Sequence, residues 1–242
     1  MWGDMQDRYV GDIGDFAKFS MLQSVSEERS LGVAWYRYPD ENHNADGKHV
    51  AYLDAPETWR DRSPQVFDVL GEMVKRNERS LAMVERSRLF PDATFSNQIL
   101  ETTEVSSLKR QEWRRNWFRT VSDDLSSCDI VFADPDNGLR SDRKFRFGAK
   151  KQWKSIPVSE ARVLATDRPA IIYHHNSRFK GGHEAEIGHW QEALDCDFAI
   201  RVRYSNVRTY FFLNADAALK ERARSWVVNF GRGSEKVVVH EP

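Results

Sequence analysis

At 242 residues, with 40% hydrophobic content, eight Trp and fourteen Phe, the chain has enough apolar mass for one packed domain over 1–242, which excludes disorder along most of its length. Thirty-six basic against 37 acidic residues leave no global electrostatic footprint for nucleic acid, so any such contact must be local. No apolar run approaches a membrane span, no charged-then-apolar leader opens the chain, and Cys128 and Cys196 are the only cysteines, so a soluble cytoplasmic protein with two reduced thiols is expected.

Residues 9–26 read as a glycine-bearing turn and then a helix, with Asp15 as N-cap and Phe16, Phe19, Leu22 and Gln23 on one face. Gly32 to Tyr38 is β-branched and aromatic, a strand signal, and it ends at Pro39 before the polar loop Asp40 to His49. Apolar residues at spacings of three and four over 64–86 predict one long helix, and Ala93 to Leu100 a short strand. The 106–126 segment is helical. Its Lys109 to Arg119 stretch interleaves cations with Trp113, Trp117 and Phe118, which suits either a solvated amphipathic helix or a phosphate-contacting face.

Asp129 to Ala133 is a buried-strand run that passes straight into Asp134-Pro135-Asp136-Asn137-Gly138. Pro135 fixes φ and Gly138 permits a sharp reversal, so two carboxylates and a carboxamide are presented at a strand tip. An irregular basic stretch, Arg140 to Lys154, follows. Next come a helix near 158–166, a strand over Ala170 to His175, and a helix over 183–194. Strands over 198–204 and 208–214 form a hairpin through Ser205-Asn206-Val207. A helix over 215–229 and an edge strand at 237–239 end the chain. The alternation predicts an α/β, Rossmann-like three-layer sandwich, with a mainly parallel sheet and a C-terminal antiparallel hairpin.

Ligands bind at the carboxyl ends of strands in such sheets, where three polar clusters should meet. They are Asp134, Asp136 and Asn137; then His174, His175 and Asn176; and an entry group of Asp12, Asp15 and Lys18 with Asp40, His43, Asn44 and Asp46. Consecutive histidines on a strand point to opposite faces, so at most one of the pair faces the cleft. These donors allow metal-dependent nuclease or phosphohydrolase chemistry with Mg²⁺ or Mn²⁺, using Asp12, Asp134, Asp136 and one of the two histidines. They also allow group transfer to an amine of a base. A non-catalytic partner module on the same fold is the third reading.

The turn at Asp134-Pro135 resembles the Asp-Pro-Pro-Tyr motif of adenine N6-methyltransferases, with Asp136 in place of proline and Asn137 in place of the aromatic. Tyr9 to Lys18 (YVGDIGDFAK) looks like the amino-terminal segment of the large-subunit ribosomal RNA members of that group. The chain is also similar over most of its length to a widespread set of bacterial proteins that share Tyr-Val-Gly-Asp-Ile-Gly-Asp-Phe, Asp-Gly-Lys-His, Asp-Pro-Asp-Asn-Gly-Leu and Tyr-His-His. That second resemblance brings no activity with it. The first implies an S-adenosylmethionine cofactor held by Gly11, Asp12, Asp15, Lys18 and Asp40. It implies that Asp134 and Asn137 engage an amine of an RNA or DNA base, with His174 or His175 nearby. Only Gly47 stands where that group has a glycine-rich cofactor loop.

Overall fold

The computed structural model describes residues 7–38, 49–100 and 105–242. Asp40, His43, Asn44 and Asp46 of the expected entry group lie outside the described residues.

The elements alternate as follows. Helix α1 (Ile13–Val25) precedes strand β1 (Leu31–Trp35). Three helices, α2 (Pro56–Trp59), α3 (Pro64–Lys75) and α4 (Leu81–Arg86), lead to β2 (Thr94–Ser96). Then come α5 (Arg110–Asp124), β3 (Ile130–Asp134), β4 (Leu139–Arg140), β5 (Ile156–Pro157) and α6 (Val158–Leu164). Last are β6 (Ala170–His175), α7 (Gly182–Leu194), β7 (Phe198–Tyr204), β8 (Asn206–Leu213), α8 (Ala217–Gly231) and β9 (Val237–His240).

Seven strands form one sheet in the order β2-β1-β3-β6-β8-β7-β9. The first four are mutually parallel, β8 runs antiparallel between β6 and β7, and β9 adds an antiparallel edge. Leaving β1, the chain moves first outward to β2 and later to the other side at β3, so strand order reverses between β1 and β3. The period of two along each strand explains the layers. Val33, Trp35, Ile130, Phe132 and Ile171 point into a core shared with α1, α3 and α8, whereas Ala34, Val131, Ala133 and Ile172 point into a second core under α5, α6 and α7. The chain is therefore an α/β protein with helices on both faces of a mixed sheet. Among the described residues no helix is long and apolar enough to cross a membrane, and Cys128 and Cys196 are free and buried.

Several expected boundaries move. The predicted 64–86 helix is two helices: Asn77 adopts φ 55° and Ser80 accepts from the Met83 amide to cap a new start. The N-cap of α1 is Asp12, not Asp15, because the Asp12 carboxylate accepts from the Asp15 amide at 2.9 Å. The expected 93–100 strand shrinks to β2. The hairpin turns on Ser205 alone (φ 62°), so Tyr204 pairs with Asn206.

The basic stretch after Asp134 holds a feature absent from the sequence reading, the two-residue parallel ladder of β4 with β5. The Lys109–Arg119 cluster packs against this stretch. Trp113 stacks on Trp153 at 5.2 Å between ring centres, and the fully buried Arg114 makes a two-pronged ion pair with Glu160 at 2.9 and 2.7 Å.

Candidate functional site

Register alone brings the expected tips together. Trp35 pairs with Asp134, Tyr173 with Tyr210, His174 with Thr209 and His175 with Arg208, all at the carboxyl end of the parallel strands. Alternation then sorts them between the faces.

On the α1 face lies a buried ionic triad. Lys18 Nζ is 2.8 Å from Asp15 Oδ1 and 2.8 Å from Asp134 Oδ2. The three side chains belong to the first turns of α1 and the last residue of β3, and all are buried. Burial pushes the Asp15 carboxyl up to about 7, with Lys18 pulling it down and Asp12 adding to the rise. Burial works against the Lys18 ammonium, but Asp134 and Asp15 outweigh it and hold the group well above the usual lysine value. Lys18 also lies 5.3 Å from the Phe19 ring centre and 5.6 Å from that of Trp35. One oxygen of Asp134 is thus anchored, while among the described residues nothing donates to Oδ1.

Sequence reasoning missed two side chains here. Arg208 lies over Gly14 so closely that a Cβ there would sit 1.8 Å from its Nη1. Among the described residues, its Nη1 and the Tyr210 hydroxyl are buried without hydrogen-bond partners. The only sequence signal for Arg208 is a lone cation heading the aromatic strand Arg208-Thr209-Tyr210-Phe211-Phe212. His175, on the same face, is exposed, and its Nδ1 is 3.3 Å from the Tyr173 hydroxyl. Partial desolvation of the ring by its neighbours, then Arg208 and His174, lower its pKa.

On the opposite face His174 is built into the scaffold. Its Nδ1 accepts from the Leu139 amide at 2.9 Å, so Nε2 carries the proton and donates to Glu186 Oε1 at 3.1 Å. Glu186 also accepts from the Asn176 amide group and from the Ser177 amide and hydroxyl, and Asn176 accepts from Thr209 at 2.8 Å. Burial acts to raise the Glu186 carboxyl, but the bonds from His174 and Ser177 prevail and bring it down to about 2. Both His174 nitrogens are occupied, which leaves His175 as the histidine open to solvent.

The turn between the two faces is closed by a Gly138 amide bond to the Pro135 carbonyl (2.9 Å) and tied by an Asn137 amide bond to the Lys154 carbonyl (2.7 Å). Gly138 is obligatory: φ is +68°, and a Cβ would lie 2.3 Å from His174 Nδ1. Asp136 lies 3.5 Å from Lys154 Nζ, and the Asn137 side chain is exposed.

The expected cofactor residues Asp12, Asp15 and Lys18 are engaged internally. Gly11 (φ +89°) is buried against Val74, and its carbonyl accepts from Tyr52 at 3.2 Å. Asp40 lies outside the described residues. Among the described residues, no three His, Cys, Asp or Glu side chains converge as a metal centre; the Lys18 ammonium fills the space between Asp15 and Asp134. Two surface grooves, of about 650 and 970 Å³, lie at the opposite, amino end of the strands, lined by residues such as Leu31 and Asp129. The chain matches no family model, and no curated protein matches it.

Proposed function

We propose that this chain is a Rossmann-like, S-adenosylmethionine-dependent methyltransferase-like protein acting on an amine of a nucleic-acid base. The observation that carries the reading is Asp134. It ends a strand beside the point where strand order reverses, with one carboxylate oxygen fixed by Lys18 and the other free of any donor among the described residues. An antiparallel strand inserted next to the last parallel one is consistent with the same reading.

The polar groups on the α1 face fit the amino-acid end of the cofactor in part. The orphaned Arg208 Nη1, beside the first turn of α1, suits a carboxylate. When bound, the cofactor supplies an electrophilic methyl group. This chain's own part is to orient the acceptor. Asp134 Oδ1 accepts from the target amine, and the exposed Asn137 side chain offers both a donor and an acceptor to the base edge. Metal-dependent hydrolysis through Asp12, Asp134 and Asp136 finds less support, because Asp12 caps α1, Lys18 holds Asp134 and Lys154 lies 3.5 Å from Asp136.

Calorimetric titration of the whole chain with S-adenosylmethionine, followed by transfer of labelled methyl to mixed RNA and DNA, tests the reading. The expected result is saturable binding, with transfer abolished in Asp134→Asn while cofactor binding persists. No binding, or full transfer by Asp134→Asn, would overturn it.

A further inference from the structure

The segment that follows the Asp134 turn is a closed excursion. Arg140 and Ile156 lie in the β4–β5 ladder, so residues 141–155 leave and return at one neck, and that neck is fastened to the turn through Asn137 and Lys154. Compact loops with adjoining ends and a packed interior of their own are frequent carriers of function. Here the interior is aromatic. Phe145 and Trp153 are buried, Phe147 meets Phe145 at 4.9 Å, and Trp113 of α5 stacks on Trp153. The exterior is cationic. Between 141 and 155 six Lys or Arg face one acid, a net +5 within a chain of net −1, and of the six only Lys154 is buried, at the neck beside Asp136.

Asp142, the one acid, accepts from the Ser159 amide at 3.1 Å at the start of α6. Arg143, Lys144 and Lys151 are exposed and Lys150 half-buried, and among the described residues none of the four has a carboxylate partner. Elsewhere on the surface cations are commonly paired, as in Arg29–Asp216, Arg60–Asp68, Arg222–Glu28 and Arg224–Glu241. An unneutralised cluster beside a candidate site raises the local concentration of polyanions.

We infer that the 141–155 loop is the phosphate-docking surface for a nucleic-acid strand whose base is presented to the Asp134 tip. The inference rests on the reading in the preceding subsection. A phosphodiester backbone is favoured over a membrane, because the large exposed apolar side chains (Ile99, Leu108, Val163 and Val228) all lie outside the loop and leave it no wedge for lipid. An acidic protein partner is disfavoured for the same reason, since protein interfaces centre on apolar anchors.

The test is anisotropy of a labelled single-stranded oligonucleotide, RNA and DNA in turn, against the full chain over a salt series. Wild type is compared with Arg143→Gln/Lys144→Gln/Lys151→Gln and with a charge-matched control, Arg60→Gln/Lys75→Gln/Arg224→Gln. If each lost phosphate contact removes about 0.7 from the log-log salt slope, the loop variant flattens it by about 2 while the control keeps it. Melting temperature and S-adenosylmethionine titration should be unchanged in both variants. An unaltered slope in the loop variant would overturn the inference, as would a preference for phosphatidylserine vesicles over oligonucleotide. Loop-dependent oligonucleotide binding without cofactor binding would uphold the docking surface and remove the methyltransferase reading; the converse would remove the docking surface alone.

Discussion

Asp15 offers the sharpest test of the buried triad. Its carboxyl is raised from 3.8 to about 7, with burial the largest cause, so the folded protein holds a proton there that the unfolded chain has released. Wherever the native state binds more protons, stability falls as pH rises. This contribution is fully present below the unfolded value, declines from about pH 4 upward, and is gone once the pH passes about 7. Between pH 5 and 8 the group should cost wild type about 2–3 kcal/mol. Asp15→Asn removes that titration and still accepts from Lys18 through its carboxamide oxygen. The assay is urea unfolding of both proteins at half-unit steps from pH 5 to 8. The wild-type minus variant difference should shrink steadily by that amount as pH rises. A flat difference would refute the reasoning and would mean that the Lys18 contact keeps Asp15 ionised across the whole range.

Gly138→Ala should cost about 2–4 kcal/mol in denaturant unfolding, from a positive φ plus a methyl driven onto His174. Gly148→Ala, with nothing within 4 Å of the added carbon, is the matched neutral control. Glu186→Gln weakens the charge-assisted bonds from His174 and Ser177 and should cost about 1.5–3 kcal/mol at neutral pH. Because the folded Glu186 carboxyl is depressed from 4.5 to about 2, that gap should be full above about pH 5 and close as the pH falls toward 2.

The strand tips were legible because apolar alternation and turn chemistry are local signals: Ile130 to Asp134 and Ala170 to His175 both sit where their residues indicate. Other features depend on contacts that no window contains. Both Asp12 and Asp15 are good N-caps by type; Asp12 takes the role because Asp15 is drawn inward to Lys18 and, through it, to Asp134, which is 116 residues from Lys18. The helical period over 64–86 hid a break whose trace is the unbroken polar run Arg76-Asn77-Glu78-Arg79-Ser80. The two-residue strands of the β4–β5 ladder are too short to show a period at all. Separating His174 from His175 needed the register of β6 on β8, since alternation says only that they diverge.

The turn at Asp134 is held from both sides of the sheet. Lys18 grips its first residue from the α1 face, and His174 receives the Leu139 amide just past its last from the other. Stability alone does not account for the α1 grip, since buried ion networks are often matched or exceeded by apolar replacements of similar volume, while removal of one member strands a charge at a cost of about 3–5 kcal/mol. Lys18→Met alone should therefore be strongly destabilising. The triple variant Asp15→Leu/Lys18→Met/Asp134→Leu should recover most or all of that loss while forfeiting any methyl transfer. Equilibrium unfolding of the two variants beside wild type decides the point. If the triple variant is no more stable than Lys18→Met, the triad is a packing requirement of this core. If it regains wild-type stability, the charges are held there for what the Asp134 tip does.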